Sequence, residues 1–252
     1  MNLDIKENSI DEKAEGKLIQ SFNSGCGTHY LYQLVDGYKF VFYTLGNVLA
    51  GAMQSTSDFF QNTLSLYGGS QQQSYALVNA LMAAFTFSSA AHHILMMHAS
   101  VIVHQGKGFL FLGKSGTGKS THARLWLQHI SDCELLNDDN PAIRISEKGE
   151  ILVYGTPWSG KTPCYRNLHF PIQAFVRLEQ YPRNVIRKEI PLQAFSSILS
   201  SSSNMIWDPP FHRLITQTVE QVAMNTHSYY LKCLPDQEAA LLCHQTVTQP
   251  HA

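Results

Sequence analysis

Eight residues, Gly113-Lys114-Ser115-Gly116-Thr117-Gly118-Lys119-Ser120, fit the pattern GxxxxGK[ST]. Each fixed position has a chemical reason. Glycines permit positive φ and close backbone approach, so successive N–H groups can turn toward a triphosphate. Lys119 would set a point charge on the outer phosphates, and the Ser120 hydroxyl can ligate Mg²⁺. A helix starting near Lys119 adds its positive N-terminal end, and Thr121 extends the binding stretch into its first turn. The apolar run 108–112 reads as the strand entering the loop, and 120–129 as the helix leaving it. Strand, glycine loop and helix are the context this chemistry needs.

Downstream, Leu135-Leu136-Asn137-Asp138-Asp139 sets two carboxylates at the end of an apolar stretch. Phosphoryl transfer needs one carboxylate on the metal and a group to orient or deprotonate the acceptor. Two adjacent aspartates at a strand end could divide those roles. The competing reading is an ordinary Asp-Asp-Asn surface turn. Upstream, His98 precedes the apolar run ASVIV. It is either part of the site or a strand-end histidine satisfied by backbone. His92 and His93 read as helix-face residues, and His122 and His129 as surface.

The elements that position these residues read as follows. Residues 1–20 are polar and mixed in charge and suggest a frayed start. Runs 30–35 and 38–45 flank Asp36-Gly37, a hairpin signal, and 46–52 and 64–67 add strands. Residues 71–96 read as a helix with Leu77, Leu81, Ala84 and Phe85 on one face. Strands follow at 98–104, 134–136, 141–145, 151–154, 173–178 and 229–234. Residues 155–165 form a loop rich in Gly, Pro and Thr, and the Ser-rich 196–204 a loop or helix end. Helices are predicted at 211–226 and at 237–247, the latter capped by Asp236. The organisation is a β-rich N-terminal region, 1–70, and an α/β nucleotide-binding domain, 71–252.

The chain has 252 residues and a net charge of −1, so no basic field points to nucleic acid. Charged residues are 15% of the chain, against about 25% in an average domain; this leaves room for a subunit interface and a homo-oligomer. The five cysteines lack CxxC spacing, which argues against a disulfide framework or zinc knuckle and for a reducing, cytoplasmic compartment. Residues 59–106 carry no Asp, Glu, Lys or Arg. The stretch 76–97 is long enough to span a bilayer. Its interspersed Asn79, Thr86, Ser88, Ser89, His92 and His93, and its lack of basic flanks, favour a buried helix and no membrane span.

The loop in its GxSGxGKS form, the upstream His98 and the following Leu-x-x-Asp-Asp together resemble the catalytic domain of the bacterial HPr kinase/phosphorylase family. They also resemble its relative, ATP-dependent phosphoenolpyruvate carboxykinase. The segment Gly155-Thr156-Pro157-Trp158-Ser159-Gly160-Lys161 is similar to one in small HPr-kinase-like proteins. The likeness covers residues 98–178. It implies a P-loop core of mixed sheet and flanking helices, with ATP and Mg²⁺ bound. In that family's terms, Asp138 is the base or acceptor-orienting group, Asp139 and Ser120 hold Mg²⁺, and His98 sits near the phosphates or the metal. The chain departs from the family at 155–166, where the acidic, arginine-containing signature has no counterpart. Lys161 and Arg166 could there meet an anionic acceptor or the transferred phosphoryl group; the alternative is a solvated loop. The expected activity is transfer of the γ-phosphoryl group to a hydroxyl, Ser or Thr of a protein or peptide, or a small molecule. A carboxykinase-like enzyme and a non-catalytic nucleotide-binding regulator are the alternatives.

Overall fold

The computed structural model describes residues 1–6, 10 and 16–249. In order, its elements are β1 (Asn2–Ile5), β2 (Lys17–Asn23), β3 (Gly27–Leu34), β4 (Gly37–Thr44), β5 (Val48–Ser55), β6 (Gln61–Leu66), α1 (Ser70–Ser88), β7 (Ile94–Met96), β8 (Ala99–His104), β9 (Lys107–Leu112), α2 (Lys119–His129), β10 (Cys133–Asn137), β11 (Ala142–Ile145), β12 (Ile151–Tyr154), β13 (His169–Gln180), β14 (Val185–Lys188), α3 (Pro191–Leu199), α4 (Pro209–Asn225), β15 (His227–Cys233) and α5 (Gln237–Val247). Among the described residues this is a mixed α/β chain with two mixed sheets and five α-helices.

Two compact units divide the chain at Ser89/Ala90. The first contains the six-stranded sheet β1-β6-β5-β4-β3-β2. Asp36-Gly37 marks a hairpin, as its residue types require, with Val35 and Asp36 in the turn and Gly37 opening β4 at φ 145. The start of the chain is not simply frayed. β1 adds parallel to β6 and β2 antiparallel to β3; residues 7–9 and 11–15 of the expected frayed segment lie outside the described residues.

The expected boundary at residue 70 falls instead after α1, because α1 packs on β4, β5 and β6. Its buried face is Ala76, Ala80 and Ala84, with Leu77, Leu81 and Phe85 only partly covered. A Cβ at Gly51 would stand 2.6 Å from the Ala76 methyl. Small residues on both sides bring helix and sheet together. The expected helix over 71–96 therefore stops at Ser88. Residues 94–96 pair instead with β11, Ile94 opposite Arg144 and Met96 opposite Ala142. No helix among the described residues is long and apolar enough to cross a membrane.

The second unit is built on a nine-stranded sheet, β10-β8-β9-β13-β12-β11-β7, with β15 on β13 and β14 on β15. The twelve-residue β13 is shared between neighbours. Its first residues pair antiparallel with β12, and the remainder runs parallel between β9 and β15. Parallel strands buried on both faces read as continuous apolar runs, as in Phe109-Leu110-Phe111-Leu112 and Ala174-Phe175-Val176. α2 and α5 cover one face through Ala123, Trp126, Ala240 and Cys243, which meet Phe109, Phe111, Val176 and Leu231.

His122, expected at the surface, is 3% exposed and accepts the Trp126 indole N–H at 3.2 Å. Its aromatic edge against Phe111 holds it inside. Besides β1, β2 and β7, two further elements escaped the sequence reading. Proline at its start directs 191–199 into α3, and Arg187 and Lys188 lie in the short edge strand β14. Arg177 ties β13 to α3 through Ser200 and the Ser197 carbonyl.

Candidate functional site

β9 is buried on both faces and ends at Leu112; Gly113 follows at φ 151, and Gly116 and Gly118 at φ 80 and 104. These angles favour glycine. The turn closes on the Lys114 carbonyl, which accepts from the Thr117 amide at 3.1 Å and its hydroxyl at 2.6 Å. From the end of β13, Gln180 donates to the Gly116 carbonyl at 3.2 Å. Lys114, Ser115 and Gly116 are exposed, and Thr117, Gly118, Ser120 and Thr121 are half-buried. Beyond the adjoining residues, nothing lies within 4 Å of a Cβ added at Gly116 or Gly118, so the loop faces open space there. α2 starts at Lys119 with no side chain capping it; its first N–H groups are the orphan donors of every helix start.

Lys119 is 7% exposed. Its ammonium donates to the Gly113 carbonyl at 3.0 Å and the Lys114 carbonyl at 3.3 Å. Of three donors, two are used, leaving one for an anion. Burial pulls its pKa down, while the fields of Asp139 and Asp138 act in the opposite sense. Both aspartates therefore stand close enough to the ammonium to be felt.

Asp138 is held by hydroxyls on both oxygens. Ser100 of β8 donates to Oδ1 at 2.5 Å, and Thr162 of the 155–166 loop donates to Oδ2 at 2.6 Å. Asp139 meets His98 Nδ1 through Oδ1 at 3.2 Å and Asn140 through Oδ2 at 2.8 Å. His98 is 44% exposed on its side chain, and its backbone N–H donates to the Ser201 carbonyl at 2.7 Å. The backbone of this histidine is satisfied, and its ring faces Asp139.

The pair is placed by Asn137, which is fully buried. Asn137 Oδ1 accepts the Asp139 and Asn140 amides at 3.0 and 2.9 Å. Its Nδ2 donates to Thr156 Oγ1 at 3.1 Å and reaches the Thr156 and Trp158 carbonyls. Thr156 donates in turn to the Asn140 carbonyl at 2.7 Å. Gly160, at φ 63, packs so closely that an added Cβ would lie 2.9 Å from Asp139 Cβ. The Gly-Thr-Pro-Trp-Ser-Gly segment therefore clamps the aspartates.

Of the two basic residues in the loop, Lys161 is exposed. Arg166 is engaged elsewhere: it pairs with Glu134 at 2.6 Å and donates to the Leu135 carbonyl at 3.0 Å. It anchors the loop to β10 rather than facing an acceptor. His92 is exposed in a 3₁₀ turn, His93 contacts Thr218, and His129 is exposed.

A cavity of about 730 Å³ opens beside the loop, against Thr117, Thr121, Leu178, Tyr181, Cys233 and Leu234. Such volumes suit small organic ligands. A second hollow, about 510 Å³ over Asp236, Glu238, Leu241 and Gln245 of the α5 start, touches none of the loop residues. Among the described residues no three His, Cys, Asp or Glu side chains gather as a metal site.

Sequence reasoning passed over Ser100, Asn137, Thr162 and the cavity wall. Asn137 carried a signal, lying beside the aspartate pair; Ser100 and Thr162 carried none, because hydroxyls are common in strands and loops.

No family model matches the chain, and no curated protein matches it. Among solved structures, it is similar to the HPr(Ser) kinase/phosphatase from Coxiella burnetii, with 16% identical residues and a TM-score of 0.33. That match covers 60% of this chain and 87% of the other.

Proposed function

We propose that the chain is an ATP-dependent kinase that transfers the γ-phosphoryl group to a hydroxyl, Ser or Thr of a protein or peptide, with a small-molecule hydroxyl as a variant. The observation that carries this reading is the buried Lys119 ammonium, with one donor left over, at a helix start and within the field of two carboxylates. A buried cation costs free energy unless something repays it, and a phosphate at that helix start would do so. The cavity beside the loop has room for the nucleoside, with Tyr181 and Leu178 offering apolar contact.

Ser120 and Asp139 offer hard oxygen donors suited to Mg²⁺. With no closed all-protein cage among the described residues, phosphate oxygens and water would complete its shell, as is usual for this ion. Bound Mg²⁺ supplies charge neutralisation on the phosphates. Asp138 orients the acceptor hydroxyl and takes its proton, and His98 holds the Asp139 carboxylate. Lys161 remains the acceptor-side candidate, whereas the Arg166 guanidinium is committed to Glu134. The five free thiols fit a reducing cytosol.

The test is nucleotide binding and label transfer from γ-labelled ATP to host lysate, for wild type, Lys119→Met and Asp138→Asn. Lys119→Met is expected to weaken ATP binding at least 100-fold while leaving the melting temperature unchanged or higher, because a desolvated charge is removed. Asp138→Asn is expected to bind ATP and lose transfer. Transfer persisting in Asp138→Asn refutes the role given to Asp138. Binding without transfer to any acceptor identifies a nucleotide-dependent regulator instead.

A further inference from the structure

We propose that Thr162 is itself a phosphoryl acceptor, so that the chain phosphorylates its own 155–166 loop. The inference rests on the kinase reading above. Asp138 has two hydroxyls on it, and they differ in kind. Ser100, at 2.5 Å, is fully buried within β8 between β9 and β10; it fixes the carboxylate and cannot reach a ligand. Thr162, at 2.6 Å on the other oxygen, is half-buried in a loop. Its hydroxyl stands where an acceptor hydroxyl must stand to be oriented by Asp138.

The loop is built to hold it there. Ser159 donates to the Thr162 carbonyl at 2.7 Å and accepts the Cys164 amide at 3.1 Å. Pro163 disfavours helical backbone at Thr162. Gly160 seats the same loop against Asp139. Ser159, Pro163 and Gly160 thus fix the backbone around Thr162, and its hydroxyl is set at the carboxylate that also acts on Lys119.

The step balances without a further reactant. The Thr162 Oγ forms a bond to the γ-phosphorus of the bound nucleoside triphosphate. The bond from that phosphorus to the β–γ bridging oxygen breaks, and its electron pair leaves with the nucleoside diphosphate. The Thr162 proton passes to Asp138 Oδ2. The product carries a phosphoryl group beside Asp138 and Asp139, so it would block the acceptor position by charge and bulk.

The experiment uses the full chain, treated with phosphatase and repurified. Intact mass and phosphosite mapping are followed after ATP and Mg²⁺ are added, and ATP binding is measured separately by equilibrium dialysis. One added phosphoryl group on Thr162 is expected, formed at a rate independent of protein concentration. It should be absent in Thr162→Val, retained in Thr162→Ser, and slowed about 100-fold or more in Asp138→Asn. If ATP binds and label reaches other acceptors while Thr162 stays unmodified, the proposal is overturned and the kinase reading stands. If ATP does not bind, the kinase reading falls and takes this proposal with it. Wild-type mapping and the Thr162→Ser variant decide the matter even if Thr162→Val does not fold.

Discussion

Asn137→Ala should be the most costly single substitution at the site that touches no ligand. The side chain is fully buried. Three of its bonds are well formed: to Thr156 Oγ1 at 3.1 Å, and from the Asp139 and Asn140 amides at 3.0 and 2.9 Å. At about 1 kcal/mol each these account for about 3 kcal/mol. The Asn140 amide keeps a second acceptor, the Trp158 carbonyl at 3.1 Å. The Asp139 amide has no such alternative in view, and stranding it adds about 1–2 kcal/mol. The expected loss is about 4–5 kcal/mol, a large share of a typical domain's stability. Urea unfolding read by tryptophan fluorescence is the assay. Trp126, Trp158 and Trp207 all lie in the 90–252 unit, so the signal reports the unit that holds the site. Thr156→Val should be strongly non-additive with Asn137→Ala, since the two share a bond. A loss below about 1 kcal/mol with an unchanged denaturant slope, or full additivity, would refute the argument that this network holds the aspartates.

Other outcomes follow from single residues. Burial lowers the His122 pKa from 6.5 to about 4. The unfolded chain therefore binds a proton between those values that the folded chain does not. His122 stability is complete above pH 6.5 and is lost as pH falls toward 4, at most about 3 kcal/mol. His122→Gln should flatten that acid limb in the tryptophan signal; an unchanged slope contradicts it. Gly160→Ala places a methyl at φ 63 and 2.9 Å from Asp139 Cβ. It should cost about 1–3 kcal/mol and raise the Mg²⁺ concentration needed for phosphoryl transfer, which a metal titration reads directly.

The loop, the strand before it and the helix after it were legible because their residue types are dictated locally: glycines for positive φ, an apolar run for a strand buried on both faces. Asp236 and α5 were legible for the same reason, since the cap accepts the Ala239 amide as its type requires. What escaped was set by tertiary partners. Alanines, not leucines, form the buried face of α1, because the sheet beneath offers Gly51. Residues 94–96 pair with β11, and nothing in an uncharged stretch marks where the helix must stop for that pairing. His122 looked polar and lies inside because Phe111 and Trp126 surround it. Arg166 read as a charge for an acceptor, but Glu134 lies far from it in sequence and near it in space. At the site the aspartate pair was visible. Its hydroxyl partners were not, because only the folded chain brings Ser100 and Thr162 to one carboxylate.

The sharing of β13 between neighbours has a consequence for synthesis. β9 carries the loop, and its free edge is completed only by β13, itself completed by β15, which ends at Cys233. About 120 residues separate the end of β9 from the end of β15. At roughly 5–20 residues per second, translation leaves that edge open for several seconds or more. The hairpin of β8 and β9 can form early, but Phe109 and Phe111 must wait for their full surroundings. The nascent chain thus carries an unfinished apolar edge through much of its synthesis. The cavity wall at Cys233 and Leu234 is among the last parts to emerge, so nothing bound there can shelter that edge during synthesis.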